Sequence, residues 1–250
     1  SMESAWIAIL SAGMVAGIPI LLAALGEVLT ERVGVLNLGV EGMMLIGAVV
    51  GFMITASTDN QWLGLAGAIV AGGAMALIHA FLTITLRANQ VVSGLALTIF
   101  CTGFSGYLGK SLIGVPLAAT FKPVAIPFLS DIPWIGKLLF HHDVLVYASY
   151  LLVILMWFFL FKTKSGLYIR AVGENPGAAD AAGISVEGVR YLFVIIGGML
   201  AGMGGAYLSL AYAPSWLENM TAGRGWIAVA LVIFSMWNPW KAFIGSFIFG

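Results

Sequence analysis

Charge is what this sequence has least of. Lysine and arginine number 11, and aspartate and glutamate 11, so charged residues make up 9% of the 250, against about 25% in an ordinary soluble domain. With the two signs in balance there is no basic field for nucleic acid and no acidic tail. Nucleic acid is therefore not an expected partner. Cysteine is nearly absent as well: Cys101 stands alone in an apolar run and can form no internal disulfide. Histidine occurs 3 times, and His141-His142-Asp143 has no other acid, His or Cys close by in sequence, so no metal and no cofactor is expected. The phosphate-binding pattern G-x-x-x-x-G-K-[ST] occurs nowhere. The chain is thus not expected to be an enzyme or to hydrolyse ATP itself. Ser1-Met2-Glu3-Ser4 lacks the positive stretch of a signal peptide, and no small-residue cleavage pattern follows Leu25.

What fills the sequence is apolar: 61% of residues. Runs of roughly 17 to 25 apolar residues are long enough to cross a bilayer, and they predict an all-α, polytopic transmembrane helix bundle forming one domain over 1–250. The runs are Trp6 to Leu25, Val33 to Ala56, Trp62 to Leu86, Val91 to Gly109, Val144 to Phe161, Tyr191 to Leu217 and Gly225 to Trp240. An eighth begins after Lys241, and its few apolar residues before Gly250 read as an incomplete span. Lys110 to Asp143, with Pro116, Pro123, Pro127 and Pro133, reads as a linker rather than one helix.

Arg32, Arg87, Lys162, Lys164, Arg170, Arg190 and Lys241 collect on one side of these spans, and Lys110, Lys122, Lys137 and Arg224 on the other. The richer side is cytoplasmic, which puts the N-terminus and the proline-rich linker outside. Gly13 and Gly17, Gly47 and Gly51, and Gly198 and Gly202 are each four apart, a spacing that lets helices approach closely in lipid. They serve either packing within the chain or a seam between subunits.

The longest cytoplasmic interruption is Lys162 to Arg190. Asn175 suits an N-cap, Pro176 the first helical position and Gly183 a left-handed stop, which predicts a helix from Pro176 to Ala182. So short a helix needs something to pack on. Ala178, Ala179, Ala181 and Ala182 give it a smooth methyl surface with one charge, Asp180.

Two stretches carry a resemblance. RAVGENPGAADAAGISVEGVR, Arg170 to Arg190, resembles the cytoplasmic coupling loop of ABC importer permeases of the branched-chain amino acid, ribose and nucleoside type. GEVLTERVGVLNLGVEGMMLIGA, Gly26 to Ala48, is similar to the first cytoplasmic loop and second span of that family, most closely in its nucleoside and simple-sugar permeases. The resemblance implies a permease domain in the bacterial inner membrane, with a coupling loop over 162–190 and an extracytoplasmic linker over 110–143. It implies ATP-binding subunits below, an extracytoplasmic substrate-binding protein or lipoprotein above, and a second, identical or related permease alongside, all within membrane lipid. Glu174, Asn175, Pro176, Ala178, Ala179, Asp180 and Gly183 would then couple to the ATPase.

Within the spans, Glu41 stands out, because an acid at the membrane centre costs about 3 kcal/mol on insertion scales. Asn37 shares its helical face, four residues earlier. Both either face the permeation path or a gate, or brace helix ends near the cytoplasmic surface. Gln90 and Ser93, at the start of the fourth span, either line the path or belong to a plain polar turn. Glu27, Glu31 and Arg32 read as a solvated turn or as a contact to the ATPase. Tyr207, Tyr212, Trp216 and Trp226 lie toward the outer side, as interface anchors or as surfaces on which a ring could stack. The scarcity of fixed charge suits a neutral cargo, with a nucleoside first and a sugar or riboflavin-like vitamin next. The alternative is an ion- or proton-coupled secondary transporter using Glu41, which would call for an inverted repeat or several buried charges.

Overall fold

A computed structural model describes residues 2–250. Six helices are long and apolar enough to cross a membrane. They are α1 (Met2–Arg32), α2 (Val40–Thr58), α3 (Gln61–Ala80, continued by a π turn, Phe81–Thr85), α4 (Gln90–Gly109, continued by a 3-10 turn, Lys110–Leu112), α6 (Val144–Lys162) and α9 (Val186–Tyr207, continued by a π turn, Leu208–Tyr212). Between α4 and α6 lies a linker with a two-residue antiparallel pairing, β1 (Val124–Ala125) on β2 (His141–His142), and the short α5 (Ile135–Leu139). Between α6 and α9 lie α7 (Lys164–Glu174) and α8 (Pro176–Ala181).

The seventh apolar run is not a full span. It forms α10 (Arg224–Phe234), of 11 residues, about 16 Å long where a bilayer core needs about 30 Å; the eighth run forms α11 (Pro239–Phe249). Left-handed backbone at Met236 and Trp237 breaks the expected Gly225 to Trp240 helix, and Asn238 caps the start of α11. The second run also begins late. Val33 to Gly39 is not helical, and α2 starts at Val40.

The centre of the bundle is α9 packed between α1, α2 and α3. These backbones nearly touch: a Cβ added at Gly47 of α2 would run into the main chain of α9 at Gly202, and one added at Gly202 into the main chain of α3 at Ala68. Gly198 meets Gly72 and Ala76 of α3, and Gly17 meets Ser246 of α11. The three glycine pairs are therefore used in packing within the chain, where close approach gains dispersion contacts that lipid cannot replace.

At the outer end, Asp143 joins two helices. Its Oδ1 accepts from the Leu145 and Val146 amides, capping α6, and its Oδ2 accepts from the Tyr207 hydroxyl of α9 at 3.0 Å. Burial holds the Asp143 carboxyl above its usual range, against these donors, which favour the charge. Its neighbour His142 meets the Leu138 carbonyl at 2.6 Å, so this ring serves the linker's own fold.

Candidate functional site

After α1 the chain does not leave the bundle and come back; it folds upward into it. The Asn37 amide donates to Glu27 Oε1 at 2.9 Å, and Glu27 lies more than a turn inside the end of α1, so Asn37 stands about 8 Å up from that end. Non-helical backbone at membrane depth is tolerated only where the protein itself satisfies it. Here side chains from three helices do so. Gln90 of α4 accepts from the Leu36 amide at 2.9 Å and donates to the Gly34 carbonyl. His79 of α3 meets the Leu36 carbonyl through Nε2 at 2.9 Å and Ser93 Oγ through Nδ1 at 2.9 Å. A carbonyl can only accept, so Nε2 carries the proton and Ser93 donates to Nδ1. Thr98 donates to the Leu38 carbonyl at 3.0 Å, and Asn37 Oδ1 accepts from the Gly39 amide at 2.9 Å. Gly94 makes room for this, since a Cβ there would lie 2.7 Å from the Leu38 nitrogen.

Glu41 then closes the top of the segment. It lies at the start of α2 and is 4% exposed. Its Oε1 accepts from Thr221 Oγ1 at 2.5 Å and the Gly223 amide at 2.9 Å, and its Oε2 from the Gly225 amide at 2.6 Å. These donors form the N-terminus of α10, where a negative charge also meets the positive end of the helix dipole. The other end of α10 is tied to the inner end of α1: Trp237 Nε1 donates to Glu31 at 3.1 Å and Arg32 donates to the Trp237 carbonyl at 2.9 Å. The half-length α10 thus hangs between Glu41, inside the bundle, and the cytoplasmic ends of α1.

At the end of the bundle where the positive charges collect, α7 docks through Gly166, Ile169 and Val172. Arg170 lies over the Phe161 ring at 5.5 Å, and Arg32 over the same ring at 5.2 Å. Asn175 caps α8 by accepting from the Ala178 amide at 3.1 Å, and Gly183 closes it at φ +88. The helix ends at Ala181, one residue earlier than expected, as the next amides leave the helical pattern, Gly183 bonding to Asp180 and Ile184 to Ala179. Ala179 is 3% exposed, held against the chain's own core, while Glu174, Asn175, Ala178, Asp180, Ala182 and Gly183 are exposed and Pro176 is half-buried. Beside this loop is a groove lined by Glu31, Arg32, Arg170, Gly173, Glu174 and Trp237.

A half-helix that begins inside a membrane bundle, and a capped alanine helix between two spans on the positive side, are what a transport permease would need. The family of branched-chain amino acid transport system permease components matches residues 9–250. The chain belongs to this family. It is 48% identical over 97% of its length to TsgC13 of Haloferax volcanii, described as a candidate glucose ABC transporter permease, and covers 74% of that protein. It is 38% identical to the guanosine ABC transporter permease NupQ of Bacillus subtilis, over 97% of this chain and 79% of the relative. To the nucleoside ABC transporter permease NupC of Lactococcus lactis it is 34% identical, over 93% and 76%. No solved structure matches the chain.

In this permease the four residues read as path candidates do gather in one place. Asn37, Glu41 and Ser93 are buried and Gln90 half-buried, each bonded to the segment from Gly34 to Glu41 or to its partners. Glu27, read as part of a solvated turn, is instead 1% exposed and bonded to Asn37. Arg224, counted on the outer side, lies at the α10 N-terminus beside Glu41's donors. Tyr207 and Trp216 are fully buried packing residues, whereas Tyr212 and Trp226 are 42% and 37% exposed. The reading missed His79, Thr98 and Thr221. For His79 there was a signal, an ionisable residue in the middle of an apolar run. For Thr98 and Thr221 there was none, because lone threonines are ordinary in membrane helices.

Proposed function

We propose that this multi-pass membrane protein is the permease subunit of an ATP-driven importer of the inner (cytoplasmic) membrane, carrying a small neutral polar solute, with a nucleoside or a hexose as the first candidates. The observation that carries the reading is the α7–α8 loop. It joins α6 directly to α9, the central helix of the bundle, and its outward surface is small and smooth: Ala178, Ala182 and Gly183 around Asp180. Such a surface suits the cleft of an ATP-binding subunit, to which hydrolysis belongs in this reading. A substrate-binding protein outside and a second permease, identical or related, complete the assembly. The cargo classes follow the solutes for which TsgC13, NupQ and NupC are named.

Closure of the ATPase pair would push α8 against α7 and so shift α6 and α9 together. Because α9 packs on α1, α2 and α3, its tilt passes to the polar segment between α1 and α2. Asn37, Gln90 and Ser93 hold that segment, and Glu41 couples it to α10, so the inner wall of the path moves as one body. A secondary transporter using Glu41 as a coupling acid is disfavoured, since both carboxylate oxygens are occupied as the cap of α10.

The test is capture of the ATP-binding subunits encoded alongside, together with ATP-driven uptake of labelled guanosine and glucose. Wild-type chain should capture the ATPase, and Ala178→Glu should not. Capture that survives this change would remove α8 from the interface. Failure to accumulate either solute would overturn the cargo assignment.

A further inference from the structure

Between α9 and α10 the chain descends from the outer surface into the bundle without helical structure. Trp216, fully buried, sits against α4 at Gly109, and packs with Leu45, Val49 and Phe52 of α2. Glu218 follows one turn lower, where a Cβ at Gly106 would lie 2.8 Å from its Oε1. Thr221 and Gly223 then reach Glu41, and the adjoining Gly42 faces Thr98 and Cys101 of α4. Measured along α4, the loop sinks about 15 Å into the bundle.

One side of this loop is fastened. Trp216 anchors its start, Thr221, Gly223 and Gly225 are bonded to Glu41, and the Arg224 guanidinium donates to the Met220 and Thr221 carbonyls at 3.3 Å while lying over the Tyr212 ring at 5.8 Å. Left-handed backbone at Asn219 (φ 55), Ala222 (φ 50) and Gly223 (φ 89) gives it a defined, non-repeating shape. The other side, with Glu218 and Asn219, is exposed. Irregular backbone at membrane depth lies against protein or lines a water-filled cavity, and a carboxylate facing hydrocarbon is strongly disfavoured. The exposed side therefore faces water or a protein partner rather than lipid.

We infer that the loop from Trp216 to Gly225 is a cargo-contacting ledge in the outer half of the path, where Glu218 and Asn219 act as specificity-determining residues for a neutral solute rich in hydroxyl or amino donors. The inference rests on the importer reading and deepens it. The Glu218 carboxylate accepts from such donors, the Asn219 amide both donates and accepts, and Arg224, already engaged by carbonyls and a ring, stiffens the ledge. A carboxylate here repels phosphorylated forms of the same solutes. The ledge is open on one side, and a second permease completes the site.

The test uses the complex reconstituted in proteoliposomes with its ATP-binding and substrate-binding subunits, reading initial uptake of guanosine and of glucose. Glu218→Gln keeps the shape and removes the charge; Asn219→Gly keeps the left-handed backbone and removes the amide. Each should lower kcat/KM for the transported solute about tenfold, with capture of the ATPase unchanged, and Glu218→Gln should weaken discrimination against the phosphorylated solute. Asp131→Asn on the outer linker serves as the control and should leave uptake as in wild type. If one variant fails to assemble, the other decides. Wild-type uptake with unaltered kcat/KM in both variants overturns the ledge while leaving the importer reading intact. Absence of ATP-driven uptake of either solute by the wild-type complex overturns the cargo reading and the ledge with it.

Discussion

Two of the stretches that join the long helices of this chain solve the same problem in opposite ways. The loop from Lys164 to Ile184 lies in water and is stabilised by its near neighbours in sequence: Asn175 caps three residues on, Gly183 closes the turn, and the Ile184 amide reaches back to Ala179. The stretch from Gly34 to Glu41 lies inside the membrane bundle and depends on partners far away, with Gln90, His79, Thr98 and Thr221 all supplied by other elements. Water can satisfy any backbone group the first loop leaves open. Inside the bundle nothing but protein can, so each unpaired group costs several kcal/mol and must be matched individually. Changes in the inner stretch should accordingly cost more than changes in the outer loop.

The largest effect is expected at Glu41. Glu41→Ala strands three buried donors at the α10 N-terminus and should destabilise the bundle by about 4 kcal/mol, read as a lowered thermal unfolding midpoint in detergent; a midpoint equal to wild type would end the comparison at its strongest point. Next comes His79→Ala, which leaves the Leu36 carbonyl and the Ser93 hydroxyl without partners and should cost about 3 kcal/mol. In the coupling loop, Ala179→Glu buries a charge in place of a methyl that is 3% exposed and should cost about 2 kcal/mol. Ala178→Glu, exposed on the same helix, should leave the midpoint within about 0.5 kcal/mol of wild type while abolishing ATPase capture. Equal behaviour of this pair in the unfolding assay would show that α8 does not dock on its own chain. Asn175→Ala, which removes one cap bond, should cost about 1 kcal/mol, between the two alanine substitutions. Hydrogen exchange confined to α8 should detect it.

The legibility of the sequence follows the same division. Asn175, Pro176 and Gly183 marked α8 to within one residue, since caps and stops are made by groups only a few positions apart. Ala179 was read as part of the outward surface, yet it points inward. On a helix with three alanines nothing local tells which methyl faces the core. Glu41 and Asn37 were singled out as costly polar groups in an apolar run, and both lie at the polar centre. Glu27 was misjudged because its distance from solvent depends on Asn37 folding back above it. The seventh run read as a short span because composition alone does not reveal that Met236 and Trp237 turn the chain after 11 helical residues.

By itself the sequence determined that this is a helical membrane protein, where its positive charges collect, where the short alanine helix begins and, to within one residue, ends, and which family the chain resembles. Apolar length, charge bias and caps are properties of contiguous residues, and they act whatever the rest of the chain does. Only the tertiary structure decided that Glu41 caps a half-helix more than 180 positions away, that His79 and Gln90 hold the backbone between α1 and α2, and that Glu218 is left on an exposed ledge. The physical reason is the low-dielectric interior: it makes every buried polar group seek a partner, and the packing of whole helices, not sequence distance, selects which partner is within reach.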